Sequence, residues 1–540
     1  MLRVHVEQGR IVRIETDNRE EPQLRACLRG RAYRQRVYSP DRLQYPMKRI
    51  GNRGDGEFER ISWDEALDTV ARELIRVRDT YGNNGILYIG GTGSQAALQH
   101  SKVVEDMLAG FGGFTRPWGD PSFEGALFAS MATYGTMTTG NDRGDLLNSR
   151  LIIMWGWNPA VTVWDTNTSY ILAQAKEKGI RIISIDPRFT ESTAVFAGEW
   201  IPIRPSTDVA MLVAMAYVMI RDGLQDQEFL DSYTVGFEKF RSYVMGEEDG
   251  VPKTPAWAEE ITRVPAATIE RLAVEYATTK PAALIPGWGP ARAAMGEQFC
   301  RAANTLIAMT GNIGIKGGYS GGFMRAFRPA LPRPRGARNV VEQGTPPRKN
   351  SLHKLKGAGN PTSARTHNLK LYDAILQGKA GGYPADLKLA YIVGCNLLSS
   401  RPNTNKGIEA LKNLEFIVVH EQRMTPTARF ADILLPVNTF MERDDIIAPW
   451  LGAPYYLYLS QAIDSMYESR SDRGICVDLA PRLGITDYGE GKSDEECLQT
   501  IAEKTGNIAD YDQFKQDGVI DINLPEPFIA FKQQIEDPLN

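Results

Sequence analysis

At 540 residues the chain exceeds what one hydrophobic core normally serves, so roughly two to four domains are expected. Apolar and charged fractions of 42% and 24% exclude a disordered or fibrous protein, and a net charge of −4 supplies no global field for nucleic acid or a membrane surface. The 5 cysteines and 5 histidines are scattered and lack ligand spacing, which argues against a disulfide framework and against zinc.

The first residues, Met1-Leu-Arg-Val-His-Val6, carry no basic region followed by an apolar one, so no export signal is read there. From Leu151 the pattern alternates: a strand at Leu151 to Trp155, a Gly/Pro turn, an amphipathic stretch from Thr166 to Lys178, and a strand at Ile180 to Asp186. The apolar run Val209 to Ile220, between Asp208 and Arg221, is too short to cross a bilayer and reads as a core helix. Further helices are expected from Pro265 and over Gly296 to Met309, with a strand at Ala282 to Pro286. The stretch from Gly317 to about Gly359, with Pro329, Pro332, Pro334, Pro346 and Pro347, is expected to be a long loop rather than packed structure. Short buried strands then follow at Leu387 to Val393, Leu414 to Val419 and Ala431 to Leu435. The fold class is therefore α/β with largely parallel, Rossmann-like sheets.

In open α/β sheets ligands gather beyond the carboxyl ends of the strands. Three such ends stand out. At Trp155-Gly-Trp-Asn-Pro159 a glycine permits close backbone approach to a pyrophosphate, the plain alternative being a tight turn. At Ile185-Asp-Pro-Arg188 an acid faces a ribose hydroxyl and an arginine a phosphate, or Asp186 only caps a turn. The third is Gly394-Cys-Asn-Leu397. None carries a Gly-x-Gly-x-x-Gly fingerprint, which weakens a plain NAD reading and leaves room for more than one nucleotide tail. Ser206 and Asp208 precede the apolar helix, where spacing favours Asp208 as its N-cap over a contact to a guanine edge. Gly287-Trp-Gly-Pro290 follows another strand and suits either a turn or close passage along a planar ligand.

The string of motifs resembles the large subunits of dimethyl sulfoxide reductases within the molybdopterin oxidoreductases, nearly end to end. The segments that carry this resemblance are Arg25-Ala-Cys-Leu-Arg-Gly30, Val37 to Arg49, Phe58 to Glu65, Glu199 to Asp208, Gly250 to Trp257, Gly287 to Pro290, Thr310 to Ile315 and Ala431 to Pro436. It implies a multidomain molybdopterin-oxidoreductase fold around a cleft for two molybdopterin guanine dinucleotides and one molybdenum, or tungsten, ion. Gly119-Asp-Pro-Ser122 would carry the metal ligand, Ser122, a hard anionic donor suited to a high-valent metal. By local pattern alone Ser122 reads as a helix N-cap. The same resemblance assigns Trp155, Gly156, Asn158, Pro159, Ile185, Asp186, Pro187, Arg188, Ser206 and Asp208 to one dinucleotide. Gly394, Asn396, Thr427 and Asp432 go to the other, and Gly287, Trp288, Gly289 and Arg292 lie near the pterins.

The implied division is 1–58 as the remnant of an iron–sulfur domain, 151–316 binding one dinucleotide, 59–150 with 385–540 binding the other, and 317–384 as loop and return segment. Relatives of this type hold a four-iron four-sulfur cluster; only Cys27, followed by Leu28-Arg-Gly30, matches its ligands, and one cysteine cannot hold it. An amino-terminal segment and a final cofactor-covering domain are expected to be absent here. The expected reaction is two-electron oxygen-atom transfer from an S-oxide or N-oxide in anaerobic respiration, with an iron–sulfur electron-transfer subunit and a membrane-anchor subunit as partners and the extracytoplasmic face of the membrane as location. A non-redox hydratase or transhydroxylase and a non-catalytic subunit of the same fold are the alternatives. The loop Tyr88 to Ser94 and the neighbours Pro121, Phe123 and Glu124 depart from the usual pattern and leave the substrate open. Arg325, Arg328, Arg333, Arg335, Arg338, Arg348 and Lys349 read as a solvated surface, or as an entrance for anionic or polar substrates. No aromatic platform is interleaved with them for nucleic acid.

Overall fold

The computed structural model describes residues 1–540 apart from 21, 92, 94, 100, 121, 164–166, 333–336, 344–362 and 539–540. Two largely parallel sheets organise the chain. The middle sheet runs in the order Ala282–Pro286, Leu151–Trp155, Arg181–Ile185, Glu199–Ile201, parallel throughout. All residues of its central strand Leu151–Trp155 are buried, which is why that strand reads as an unbroken apolar run rather than an alternating one. The helices Asp208–Arg221, Ala266–Thr278 and Glu297–Met309 share its core. The helix read from the Thr166 pattern is Thr168–Glu177; Thr166 itself lies outside the described residues.

The outer sheet has six strands in the order Phe58–Arg60, Met47–Arg49, Ile433–Pro436, Phe416–Glu421, Leu389–Val393, Ile86–Gly90. The last four are mutually parallel, and the first two add an antiparallel edge. Its strands therefore come from both flanks of the sequence, with the middle sheet inserted between them. Two of the expected boundaries move as a result. Met47–Arg49 and Phe58–Arg60 belong to the outer sheet through pairing with Ile433–Pro436, so the first segment ends before Met47 rather than at residue 58. Helix Glu124–Tyr134 packs into the middle core against Glu297–Met309, not with the outer sheet.

The expectation of an unpacked loop from Gly317 needs correction where residues are described. Residues 317–332 form no helix or strand, yet Tyr319, Phe323 and Met324 are buried in the middle core. Backbone buried without secondary structure must find other partners, and here side chains supply them. The Asp145 carboxylate accepts from Gly317 N–H, Asn304 Oδ1 from Gly322 N–H, Ser130 Oγ from Phe323 N–H and Thr139 Oγ1 from Met324 N–H. Pro334, Pro346, Pro347, Arg333, Arg335, Arg348 and Lys349 lie outside the described residues.

A short antiparallel sheet, Asp445–Ile447, Tyr455–Leu459 and Val519–Asp521, completes the outer side. The buried Asp445 carboxylate accepts the backbone N–H groups of Ala97, Leu98 and Gln99 at 2.8 to 3.0 Å and so fixes the end of the loop that follows Ile86–Gly90. Among the described residues no helix is long and apolar enough to cross a membrane.

Candidate functional site

The carboxyl ends of both sheets turn at a glycine, and the two turns are built alike. After Leu151–Trp155, Gly156 takes a φ of +61° and donates its N–H to Ile185 O at 2.8 Å. After Leu389–Val393, Gly394 takes a φ of +56° and donates to His420 O at 3.2 Å. Positive φ at a strand end favours glycine in each case. Two residues on, an asparagine amide oxygen locks the turn to the neighbouring chain. Asn158 Oδ1 accepts from Ser192 N–H at 3.1 Å and its Oγ–H at 2.6 Å, whereas Asn396 Oδ1 accepts from Thr427 N–H at 3.3 Å and its Oγ1–H at 2.9 Å. Asn158 Nδ2 also donates to Glu191 at 2.9 Å. Both asparagines have settled oxygens, so they shape the turns as well as lining them.

Around the middle turn the other expected residues gather. Asp186 accepts Arg188 N–H at 2.9 Å, the local turn that the sequence allowed, and Trp200 Nε1–H donates to the Asp186 carbonyl. Burial raises the Asp186 carboxyl above its usual range, against the pull of Arg188. Asp208 is not the N-cap of its helix: that position is Thr207, and the Asp208 carboxylate instead accepts Trp155 Nε1–H at 2.9 Å. The Asp208 carboxylate is almost wholly buried, and burial pushes its pKa up against the pull of the Trp155 indole and its own backbone N–H. Pro159 and Pro187 follow Asn158 and Asp186 in the chain, and Ser206 takes a φ of +64°.

An acid raised by burial binds more protons folded than unfolded. Its contribution to stability is complete below the unfolded Asp value of about 3.9 and is lost as pH rises through the folded value. Asp208→Asn keeps an acceptor for Trp155 and removes that loss. With no ligand bound, the variant is expected to show a higher urea midpoint than the wild-type chain at pH 7, the difference closing toward pH 4. Equal midpoints across that range would rule out the burial cost.

Gly287 and Gly289 follow the adjacent strand Ala282–Pro286. Gly287 N–H donates to Trp155 O at 2.7 Å, and a Cβ at Gly287 would lie 1.9 Å from Gly156 O, so this glycine is demanded by turn-on-turn packing. At Gly289 a Cβ would make ordinary contact with Gly156 O at 3.4 Å, whereas at Gly394 it would meet nothing within 4 Å, so only Gly394 faces open space.

Ser122 joins this cluster. Phe123, not Ser122, is the N-cap residue of helix Glu124–Tyr134, and no side-chain hydrogen bond caps that helix. Ser122 N–H donates to Asp120 Oδ1 at 2.8 Å, its carbonyl accepts Arg292 Nε–H at 2.8 Å, and among the described residues its hydroxyl has no hydrogen bond. Both Ser122 and Arg292 line a cavity of about 930 Å³, with Gly93 and Gln95 from the loop after Ile86–Gly90. That loop meets the outer turn directly: Gly91 N–H donates to Val393 O, and a Cβ at Gly91 would lie 2.1 Å from Gly394 O. One cavity is thus bounded by elements from both sheet ends. Pro121 and Ser94 lie outside the described residues.

Two residues missed by sequence reasoning, Phe323 and Trp450, join the already named Phe123 and Trp288 in a four-ring cluster with every pair of centroids 5.0 to 5.9 Å apart. The strand Thr366–His367 pairs parallel with Pro117–Trp118 just before the Ser122 segment. His367 Nδ1 accepts Leu369 N–H at 3.2 Å, so the proton sits on Nε2, which donates to Glu124 at 3.0 Å. No local pattern marks these contacts.

Asp432 does not join the others. It precedes Ile433–Pro436, at the amino-terminal edge of the outer sheet, where Arg49 at 2.6 Å, Arg53 at 2.5 Å and Ile417 N–H at 2.8 Å take its carboxylate. Engaged on both oxygens and on the wrong edge, it drops from the cofactor set. Cys27 is exposed, its Sγ accepting Gly30 N–H at 3.4 Å as a helix N-cap. Among the described residues no three His, Cys, Asp or Glu side chains gather as metal ligands, so the residues present do not fit an iron–sulfur cluster.

They do fit a large anionic cofactor with its metal. Two glycine turns stand at parallel strand ends, the outer one facing open space at Gly394, Ser122 lines the shared cavity, and the cavity wall is cationic.

A family model described as molybdopterin oxidoreductase matches residues 42–482. The chain is 36% identical over 578 residues to dimethyl sulfoxide reductase DmsA of Escherichia coli (strain K12), covering 99% of this chain and 70% of that protein. It is 32% identical over 585 residues to the dimethyl sulfoxide/trimethylamine N-oxide reductase of Rhodobacter capsulatus, covering 99% and 69%. Among solved structures, acetylene hydratase from Pelobacter acetylenicus superposes with a TM-score of 0.76 at 22% identity, covering 97% of this chain and 73% of that one. At that identity the likeness concerns the fold alone.

Proposed function

The chain belongs to the molybdopterin oxidoreductase family, and from that membership we propose that it is the catalytic part of a two-electron reductase acting on S-oxide or N-oxide compounds. It is an oxidoreductase with an α/β, molybdopterin-oxidoreductase fold, and the family carries a metal held by molybdopterin. When bound, the metal supplies the two-electron oxygen-atom chemistry; overall, an S-oxide takes up two electrons and two protons and leaves as sulfide and water. The observation that carries the reading is Ser122: it lines the cavity between the two sheet ends, and its hydroxyl has no hydrogen bond among the described residues.

The chain's own residues bind and orient. Ser122 is the proposed metal ligand, aimed by the Arg292 bond to its carbonyl and by Asp120 at its N–H. Trp155, Gly156, Asn158, Pro159, Ile185, Asp186, Pro187, Arg188, Ser206 and Asp208 are the proposed contacts of one guanine dinucleotide. Gly394, Asn396 and Thr427 would contact the other, with Gly287, Trp288, Gly289 and Arg292 between them. The buried Asp208 carboxylate suits the paired N–H donors of a guanine edge, which would also repay its burial. Residues 151–316 would carry the first dinucleotide, and the outer sheet with residues up to 540 the second. Iron–sulfur and membrane-anchor subunits as partners, and the extracytoplasmic membrane face as location, belong to the same proposal.

The test is to purify the full chain from a cofactor-producing host and measure metal, guanine nucleotide and oxidation of a reduced dye. Molybdenum or tungsten with guanine nucleotide, and dye oxidation by S-oxides or N-oxides, is the expected result. Metal and nucleotide without dye oxidation by any oxo compound would point to a non-redox reaction, and neither metal nor nucleotide would defeat the cofactor assignment.

A further inference from the structure

We propose that the cavity at Ser122 selects an oxo substrate that carries a negative charge on an apolar body, of the class of an aryl sulfoxide bearing a carboxylate. This rests on the reading of Ser122 as the reacting centre and names the substrate for that site.

The cavity is charged out of proportion to the chain. Among the described lining residues Lys102, Arg292, Arg325 and Arg328 stand with one acid, Asp120, in a protein of net charge −4. Asp120 is already committed to Ser122 N–H. The four cations come from different parts of the chain: a helix, the turn after Ala282–Pro286, and the packed segment from Gly317. Their convergence is therefore a product of the fold and not of one basic stretch.

Arg325 and Arg292 show what the charge lacks. Neither has an ion pair among the described residues, and Arg325 Nε is a buried donor without a hydrogen bond. The Arg325 guanidinium lies 5.5 Å from the Phe323 ring centroid and 6.0 Å from that of Trp450. Burial, with Arg328 nearby, pushes its pKa down to about 10, which leaves it cationic at neutral pH. A half-buried Arg325 with no ion pair among the described residues, set beside a second guanidinium, is a placement that an entering anion would favour. Arg338, from the same arginine-rich stretch, is exposed, so solvation is the fate of some of these residues but not of Arg325 and Arg328.

The remaining wall sets the body of the ligand. Phe123, Trp288 and Trp450 present ring surface into the same cavity. A small neutral oxide such as dimethyl sulfoxide uses neither the rings nor the cations. A flat apolar group ending in an anion uses both, through ring contact and charge-assisted hydrogen bonds to planar guanidinium groups.

A matched pair isolates the charge: 4-(methylsulfinyl)benzoate and its uncharged amide. The full chain with its cofactor is titrated with each, following tryptophan fluorescence, since Trp288 and Trp450 line the cavity, and dye-linked turnover in parallel. The benzoate is expected to bind about tenfold more tightly than the amide at low salt, with the advantage shrinking as salt is raised. Arg325→Gln is expected to bring the ratio of the two close to one while guanine nucleotide stays bound, and Arg325→Lys to keep most of it. Equal binding of the pair by the wild-type chain overturns the proposal. So does loss of guanine nucleotide in step with the ratio in Arg325→Gln, which assigns the charge to the cofactor's phosphates. Charge-selective binding with no turnover of either compound supports the selection of an anion and sinks the oxygen-transfer reading instead.

Discussion

Ser122→Ala is expected to lower dye-linked turnover by at least about a hundredfold, the scale on which loss of a donor atom at a catalytic metal registers, while the urea midpoint stays at the wild-type value. The second half follows from the geometry. The Ser122 hydroxyl has no hydrogen bond among the described residues, and the bonds that hold the segment run through its backbone N–H and carbonyl, which alanine keeps. A structural role would give the opposite pattern, a lower midpoint with turnover falling only in proportion. Ser122→Cys, which retains a donor at the same place, is expected to keep metal content and part of the activity. A fully active Ser122→Ala chain would remove the serine from the metal.

Gly287→Ala is expected to do its damage before chemistry begins. A Cβ there lies 1.9 Å from Gly156 O and 2.8 Å from the Trp157 Cα, both backbone atoms that cannot step aside as a flexible side chain would. Overpacking of this kind costs about 1–3 kcal/mol. The displaced atoms form the turn proposed to hold a dinucleotide, so guanine nucleotide and metal should fall at least about tenfold. Gly289→Ala provides the comparison, because nothing lies nearer than 3.4 Å, and near-normal loading is expected of it. Nucleotide analysis of the two purified variants decides the matter: equal loading of both would show that the contact is relieved without moving the turn.

The sheets were legible because buried parallel strands have to be continuous apolar runs closed by turn residues, and Leu151–Trp155, Ala282–Pro286 and Leu389–Val393 have that form. The turn asparagines were legible for the same reason, as the first polar groups beyond those runs. Capping was misread twice. A serine or aspartate before a helix is a good local guess, but Asp208 has a better partner in Trp155 from another strand, and the Ser122 segment is held by Arg292 from beyond a third.

Asp432 failed in a different way. An acid near a strand resembles a ligand until it is known which edge it lies on, and that depends on Arg49 and Arg53 arriving from the far end of the sequence. The segment after Gly317 misled through composition. Proline and glycine report the lack of a repeating pattern, not the lack of burial, and only Asp145, Asn304, Ser130 and Thr139 reveal how that backbone is satisfied inside. The aromatic wall had no local signal at all, since Phe323 and Trp450 meet Phe123 only once the chain is folded.

The interleaving of the two sheets also orders events in time. As the chain leaves the ribosome, the middle sheet has every one of its strands once Pro286 is made, when only Met47–Arg49, Phe58–Arg60 and Ile86–Gly90 of the outer sheet exist. Ile86–Gly90 must then wait for Leu389–Val393, a contact of very long sequence separation and correspondingly slow closure. The Ser122 segment is synthesised before either sheet is complete, yet one wall of its cavity depends on the last of them to close, so the newborn protein completes that cavity near the end of folding.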